Sequence, residues 1–321
     1  LIWMFQLFSI KAINSIMDVG SILIGSVIDF IFLKDFIESQ LKVIELDEIY
    51  RQSKDSGIVQ LAHQLIHQEV NDLSLFEQYK DIHFYNSTNF EIIKNVTTIV
   101  KKAIKNGYDQ NDIQVLAPIY QGVAGINALN LALQEIFNPK NHQEEYRIGQ
   151  KVYREGDKIL QLKNRPDDDI YNGDIGVLVE INRKDGFEYL EDTLIVDYDG
   201  NLVEYTSKDF MTFTLAYCMS IHKAQGNEFK IVIMPVLNDY YIMLKRNLIY
   251  TGLTRAKQAL FILGNPQAFL YGIKNISDSK RKTTLVNKIN QNKNVETYEE
   301  SSYNQELKQN ITDFLNDDET V

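Results

Sequence analysis

Phe229-Lys230-Ile231-Val232-Ile233-Met234-Pro235-Val236 is an apolar run in which only Lys230 carries charge. A run this short, apolar without alternation, reads as a strand buried on both faces, which is the condition of a parallel sheet. Arg246 to Lys257 then has helical period, and Ala259-Leu260-Phe261-Ile262-Leu263 reads as a final strand. Working outward from this unit, the same scheme recurs toward the N-terminus. Lys42 to Leu46 and Asp81 to Tyr85 read as strands. Asn89 to Lys105 reads as helix, and Asp112 to Ala117, with Ile113, Val115 and Leu116 apolar, as strand. Val123 to Phe137 is again helical, and Asp55 to Glu69 sets Ile58, Leu61, Ala62, Leu65 and Ile66 on one helical face. Strands alternating with helical segments predict an α/β fold, a parallel sheet flanked by helices.

A different texture interrupts this scheme. Asn172-Gly173, Asp185-Gly186 and Asp199-Gly200 punctuate the short alternating runs Ile175 to Ile181, Thr193 to Tyr198 and Leu202 to Tyr205. Such dipeptides favour the left-handed backbone of tight hairpin turns. A small β-barrel inserted over residues 165–212 is therefore expected, dividing the α/β domain into 42–164 and 213–275. After Ile276 the chain turns polar and acidic, so 276–321 reads as a tail.

With 321 residues, 44% of them apolar, the chain is long enough for two domains and a substantial core, which excludes wholesale disorder. The lone cysteine, Cys218, forms no internal disulfide, consistent with a reducing, cytoplasmic setting. A net charge of -11 argues against coating nucleic acid or anionic membrane by bulk electrostatics. The excess is uneven: from Gln291 onward eight acidic residues face only Lys293 and Lys308, so the tail carries -6 and the remaining body -5. A local basic groove on that body is compatible with this balance.

The first 33 residues are apolar but interrupted by Lys11, Asp18 and Asp29. No uncharged run reaches the roughly 18 to 20 residues that a bilayer core demands, and no basic start precedes a small-residue cleavage site. A membrane anchor and a signal peptide are not expected. Residues 20–27, Gly-Ser-Ile-Leu-Ile-Gly-Ser-Val, have the glycine spacing of a phosphate-binding loop, yet Ser26 and Val27 stand where its Lys and Ser or Thr belong. The spacing reads as coincidence.

Chemistry concentrates in three segments that join strands or turns to helices, where backbone amides and side chains can meet a phosphate. They are residues 45–52 (Glu-Leu-Asp-Glu-Ile-Tyr-Arg-Gln), 216–229 (Ala-Tyr-Cys-Met-Ser-Ile-His-Lys-Ala-Gln-Gly-Asn-Glu-Phe) and 246–257 (Arg-Asn-Leu-Ile-Tyr-Thr-Gly-Leu-Thr-Arg-Ala-Lys). Ser220 to Phe229 resembles motif V of superfamily 1 DNA helicases, most closely the bacterial RecD-like ones. Tyr250 to Lys257 resembles motif VI, and Ile49-Tyr50-Arg51-Gln52 is similar to motif IV. Leu116 to Gly122 with Ala124 to Asn130 is a further RecD-like stretch. The hairpin-rich insert falls where that family carries its Src-homology-type barrel. The likeness covers residues 33–275 and implies a second RecA-like motor domain.

The resemblance implies an ATP-dependent helicase of 5′-to-3′ polarity. It implies that Arg255 and Arg51 act as arginine fingers, and that Gln52, Gln225, Gly226 and Glu228 line the nucleotide side of the cleft. Ser220, His222 and Lys223 become candidates for the backbone of single-stranded DNA. The borrowed roles are physically coherent. A guanidinium reaching the transferring phosphoryl group from a second domain stabilises its developing charge, and hydroxyl and cationic donors hold a nucleic-acid backbone without reading sequence. ATP with Mg2+ is the cofactor implied for the complete motor.

Other patterns have plainer readings. His63 and His67 are four apart, but position 64 is Gln rather than the Glu of a zinc protease, and Asp167, Asp168 and Asp169 beside Pro166 read as a solvated loop. The phosphate-binding loop of a first motor domain is not found in the sequence, and its magnesium-holding Asp-Glu pair and sensor motif are not found before Leu33, where they belong. Residues 1–41 read as a degraded remnant of that domain, and a start at Leu1 rather than Met suggests a truncated product. Two expectations follow: a C-terminal motor half that needs a first motor domain, or a non-catalytic DNA-binding or protein-docking remnant.

Overall fold

The computed structural model describes residues 56–184 and 190–275, together with two short strands, β1 (Ile22–Leu23) and β2 (Val43–Ile44), which pair in parallel. The chain divides into two compact units, Leu1–Glu48 with Asp278–Val321, and Ile49–Ser277. The second unit carries the rest of the described fold.

In chain order it contains α1 (Gly57–His67), α2 (Leu75–Gln78), β3 (Ile82–Asn86), α3 (Ile92–Lys105), β4 (Ile113–Leu116) and α4 (Ile126–Phe137). The β-rich part follows: β5 (Glu145–Ile148), β6 (Lys151–Arg154), β7 (Lys158–Gln161), β8 (Ile175–Asn182), β9 (Thr193–Tyr198), β10 (Asn201–Tyr205) and β11 (Phe213–Leu215). The chain then returns through β12 (Cys218–Met219), β13 (Phe229–Val236), α5 (Arg246–Leu253), β14 (Ala256–Gly264) and α6 (Pro266–Lys274).

The motor sheet has the order β12-β4-β13-β14-β3, every neighbour parallel. Its centre, β13, is buried along its length except at Lys230, as the apolar run demands. Pro235 is tolerated there because of register. Ile231 donates to Asp112 on the β4 side, alternate residues face the same way, and the last β4 partner is Val115 opposite Ile233. Pro235 therefore faces a position where that ladder has already ended. Helices cover the sheet in two groups, α1 with α5 and α6, and α3 with α4. The result is an α/β RecA-like layer arrangement.

Two expected boundaries differ. The helix expected over 246–257 ends at Leu253, and the final strand starts at Ala256 rather than Ala259. Thr254 to Lys257 has no helix breaker, but pairing of Ala256 with Phe229 overrides the local preference. The final strand is also followed by α6, whose signals were present in the sequence. Asn265 caps it by accepting from Gln267 N at 2.8 Å and Ala268 N at 3.2 Å, and Pro266 sits in its first turn.

The inserted sheet is antiparallel with order β10-β9-β8-β7-β11, an SH3-like insertion. Its strands run from Lys158 to Leu215, while the dipeptide signals mark only 165–212, because β7 is a short, fully buried strand with no alternation. Asp199-Gly200 forms the expected two-residue hairpin, both residues at positive φ (54° and 93°) between the Tyr198 and Asn201 pair. Asn172-Gly173 does not connect neighbouring strands in this way. It sits at the foot of β8, after a loop containing a 3-10 turn at Pro166–Asp168, where Gly173 N donates to Gln161 O at 2.9 Å. Asp168 is paired with Arg165 at 2.6 Å, and Asp185-Gly186 lies outside the described residues.

Insert and motor domain share a polar root. Lys158, 1% exposed, donates from Nζ to Gln110 O at 2.7 Å and Gln114 Oε1 at 3.1 Å, with the Phe229 ring 5.3 Å away. Desolvation brings its pKa down to about 7 from the ordinary 10.5. The unfolded chain then holds that proton more tightly than the folded one. Between about pH 7 and the ordinary lysine range, stability should therefore rise with pH, by up to about 1.4 kcal/mol per unit from this group. Urea unfolding across that range should show the rise in the wild type and its loss in Lys158→Met. Equal slopes in the two proteins would place the lysine's titration outside the folding equilibrium.

Candidate functional site

Motif V begins where β12 ends. Cys218 and Met219 lie level with Val115 and Leu116 of β4, while β13 starts at Phe229, two residues before Ile231 pairs with Ile113. Residues 220–228 must therefore run back along the sheet from its C-terminal edge to its N-terminal edge. The edge strand β12 is held by Asn130 of α4, whose Oδ1 accepts from Cys218 N at 2.8 Å while its Nδ2 donates to Cys218 O at 2.7 Å. That side chain takes the place of a further strand. Cys218 is wholly buried, and desolvation pushes its thiol pKa up, so it is an unreactive core residue.

The loop is built from tight turns. Ser220, nearly buried, accepts from Lys223 N at both its carbonyl (3.0 Å) and its Oγ (3.4 Å), and its carbonyl also accepts from Ala224 N at 3.2 Å. Gln225 N donates to His222 O and Asn227 N to Ala224 O. Gly226 has φ +92°, a conformation that a side chain would strain, which explains glycine at the point where the loop turns toward β13. His222 and Gly226 are exposed, while Lys223, Gln225 and Glu228 are half-buried.

Motif VI meets the far end of this loop. Arg255, 9% exposed, folds its guanidinium onto the end of α5 and onto motif V. Its Nε donates to Thr251 O, its Nη1 to Asn227 O and its Nη2 to Thr254 Oγ1, each at 3.2 Å. Its carbonyl accepts from Phe229 N at 2.9 Å. Beside it, Lys257 Nζ pairs with Glu228 Oε2 at 3.0 Å. Positive groups of motif VI and the Asn227-Glu228 end of motif V thus share one corner at the N-terminal edge of the sheet.

The near end of the loop meets the insert instead. Lys223 Nζ donates to Asn172 Oδ1, and Asn227 Nδ2 donates to Gly173 O at 3.2 Å. Asn227 is therefore shared, its side chain on the insert and its carbonyl on Arg255.

Of the residues singled out from sequence, Glu228 and Arg255 come together through Asn227 and Lys257, whereas Lys223 reaches the insert and Ser220 holds the turn that carries it. Arg51 and Gln52 lie outside the described residues. Sequence reasoning did not single out Asn227 or Lys257 from their motifs. Nor did it connect Asn172, 51 positions away from Lys223, whose only signal was its turn-forming dipeptide. Among the described residues no cluster of three His, Cys, Asp or Glu side chains could hold a metal, and no helix is long and apolar enough to cross a membrane.

Comparisons with known proteins bear on the family rather than on this geometry. Residues 129–198 match the family model described as the ATP-dependent RecD-like DNA helicase SH3 domain, and residues 215–263 the UvrD-like helicase C-terminal domain. The chain is 33% identical over 232 residues to the ATP-dependent RecD2 DNA helicase of Deinococcus radiodurans, covering 70% of this chain and 29% of that protein. It is 28% identical over 254 residues to the RecBCD enzyme subunit RecD of Buchnera aphidicola, covering 74% and 41%. It thus spans well under half the length of both relatives. A solved structure of Bacteroides Pif1 bound to ssDNA is similar over 81% of this chain and 60% of that one, with a TM-score of 0.45 and 13% identity. With an SH3-type insert followed by motifs V and VI on a parallel sheet, the chain belongs to the RecD-like superfamily 1 helicases, of which it is a C-terminal region.

Proposed function

We propose that this chain is the second motor domain of an ATP-dependent DNA helicase of 5′-to-3′ polarity, working with a first motor domain that holds ATP and Mg2+. The observation that carries the reading is the bond from Arg255 Nη1 to Asn227 O, which fixes the cation of motif VI to the loop of motif V. A nucleotide presented at this corner meets the Arg255 guanidinium, whose fork of donors suits a terminal phosphate, while the neighbouring Lys257 is held by Glu228. ATP supplies the free energy of phosphoryl transfer. Arg255, and Arg51 if it reaches the same cleft, contribute charge stabilisation at the transferring group. Gln52, Gln225, Gly226 and Glu228 are assigned to the nucleotide side, and Ser220, His222 and Lys223 to single-stranded DNA.

On this reading the phosphate-binding loop belongs to the first motor domain. The purified chain is therefore expected to hydrolyse ATP negligibly, with or without single-stranded DNA, yet to bind a fluorescent oligonucleotide with little sequence preference. Its affinity should fall steeply as salt rises, since phosphate contacts release counterions. Vigorous DNA-stimulated hydrolysis by the chain alone would contradict the division of labour, and salt-independent affinity would contradict a phosphate-tracking surface.

A further inference from the structure

The insert does more than pack beside motif V, because it supplies the partner of that motif's lysine. Lys223 is half-buried and its ammonium donates to the amide oxygen of Asn172. Among the described residues no carboxylate pairs with it, and the only influence on its pKa is desolvation, which lowers it. A lysine held by a neutral oxygen keeps its full charge, whereas a carboxylate partner would cancel it. The turn that holds it is itself fixed: Asn172 N donates to Asn164 Oδ1 at 2.9 Å, and Gly173 N to Gln161 O at 2.9 Å. Gly173 has φ +107°, and a Cβ there would lie 3.5 Å from Lys223 O, so the turn and the loop touch through backbone as well. Asn227 Nδ2 on Gly173 O makes the second tie, and its carbonyl carries the contact on to Arg255.

We infer that Asn172 is a positioning residue of the nucleic-acid site, holding the Lys223 ammonium, uncancelled and in fixed posture, for a backbone phosphate of a single strand. The inference rests on the reading that Lys223 faces single-stranded DNA, and it adds that the insert sets the posture of that lysine. Asn227 extends the same tie toward the nucleotide corner.

The test is the affinity of the full chain for a fluorescent oligothymidylate, followed over a salt series. Lys223→Ala should weaken binding and take about 0.7 from the magnitude of the logarithmic salt slope, the share of one phosphate contact. Asn172→Ala should weaken binding about fivefold in the wild type, the scale of one hydrogen bond, and not further in the Lys223→Ala background. Asn172→Asp, isosteric and equally suited to the turn, should pair with the lysine and lower the slope by about the same 0.7, although it removes no cation. Fold integrity is checked by unchanged thermal melting of Asn172→Asp. Losses from Asn172→Ala and Lys223→Ala that simply multiply, or an Asn172→Asp slope equal to the wild type's, would overturn this inference while leaving the DNA-binding reading intact. A wild-type chain that binds no oligonucleotide at low salt would overturn both.

Discussion

In a motor that joins this chain to the domain holding the triphosphate, Arg255→Ala should lower ATP turnover by about a thousandfold, while nucleotide affinity changes far less. The asymmetry follows from charge. If the first domain's cations neutralise the terminal phosphate in the ground state, one more guanidinium adds little there. In the transition state charge builds on the equatorial oxygens, and a planar fork of donors is worth most there. Arg255 is prepared for this by its surroundings. Bonds to Thr251 O, Asn227 O and Thr254 Oγ1 help to fix the guanidinium plane before any nucleotide arrives. Arg255→Lys should recover little of the loss, because an ammonium keeps the charge but cannot reach those acceptors and a phosphate with one fork. The measurement is turnover at saturating ATP and single-stranded DNA beside equilibrium nucleotide binding, with melting temperatures to separate loss of role from loss of fold. Equal losses in turnover and affinity would assign Arg255 to ground-state binding instead.

Much of this was legible in the sequence because the motor sheet depends on local signals. The strand over Phe229–Val236 was read with its bounds intact, since an apolar run flanked by polar residues admits few other readings. The Asp199-Gly200 turn was equally plain, because few residue pairs accept positive φ twice in succession. What local patterns could not carry was pairing between distant segments. Strand β14 begins at Ala256 because Phe229 lies beside it, which nothing within Thr254 to Lys257 announces. The β5–β6 hairpin turns at Gly149, φ +60°, without the Asn-Gly or Asp-Gly signature that flagged the others. For the site, motif resemblance located Arg255, Glu228 and Lys223 but was silent on their arrangement. That Asn227 faces the insert with its side chain and Arg255 with its carbonyl is a fact of three dimensions.

The largest expected effect on stability lies at the root of the insert, at Asp157. This carboxylate is fully buried and accepts four bonds: from Gln134 Nε2 at 2.6 Å, Asn138 Nδ2 at 2.9 Å, Arg154 N at 2.7 Å and Tyr217 OH at 2.9 Å. The donors come from α4 and the residue that caps its end, from the last residue of β6 and from the chain leaving the insert, so one side chain closes the base of the whole excursion. Desolvation, the dominant influence, raises its pKa, while the four donors act in the opposite direction. Asp157→Ala would leave those donors buried and unanswered, at a cost of about 4 kcal/mol in urea unfolding, a large part of a domain's stability. Asp157→Asn keeps the shape and one acceptor oxygen but turns an amide toward other donors, so its cost should be smaller, about half. The two variants also differ in pH dependence. A raised folded-state pKa means that the ionised group costs stability, a cost present above the folded value and relieved as pH falls toward the ordinary carboxylate range. Asp157→Asn should abolish that relief. If Asp157→Ala unfolds at the same urea concentration as the wild type, the four bonds contribute nothing net, and the insert must be anchored by the apolar contacts of Tyr153 and Tyr217 instead.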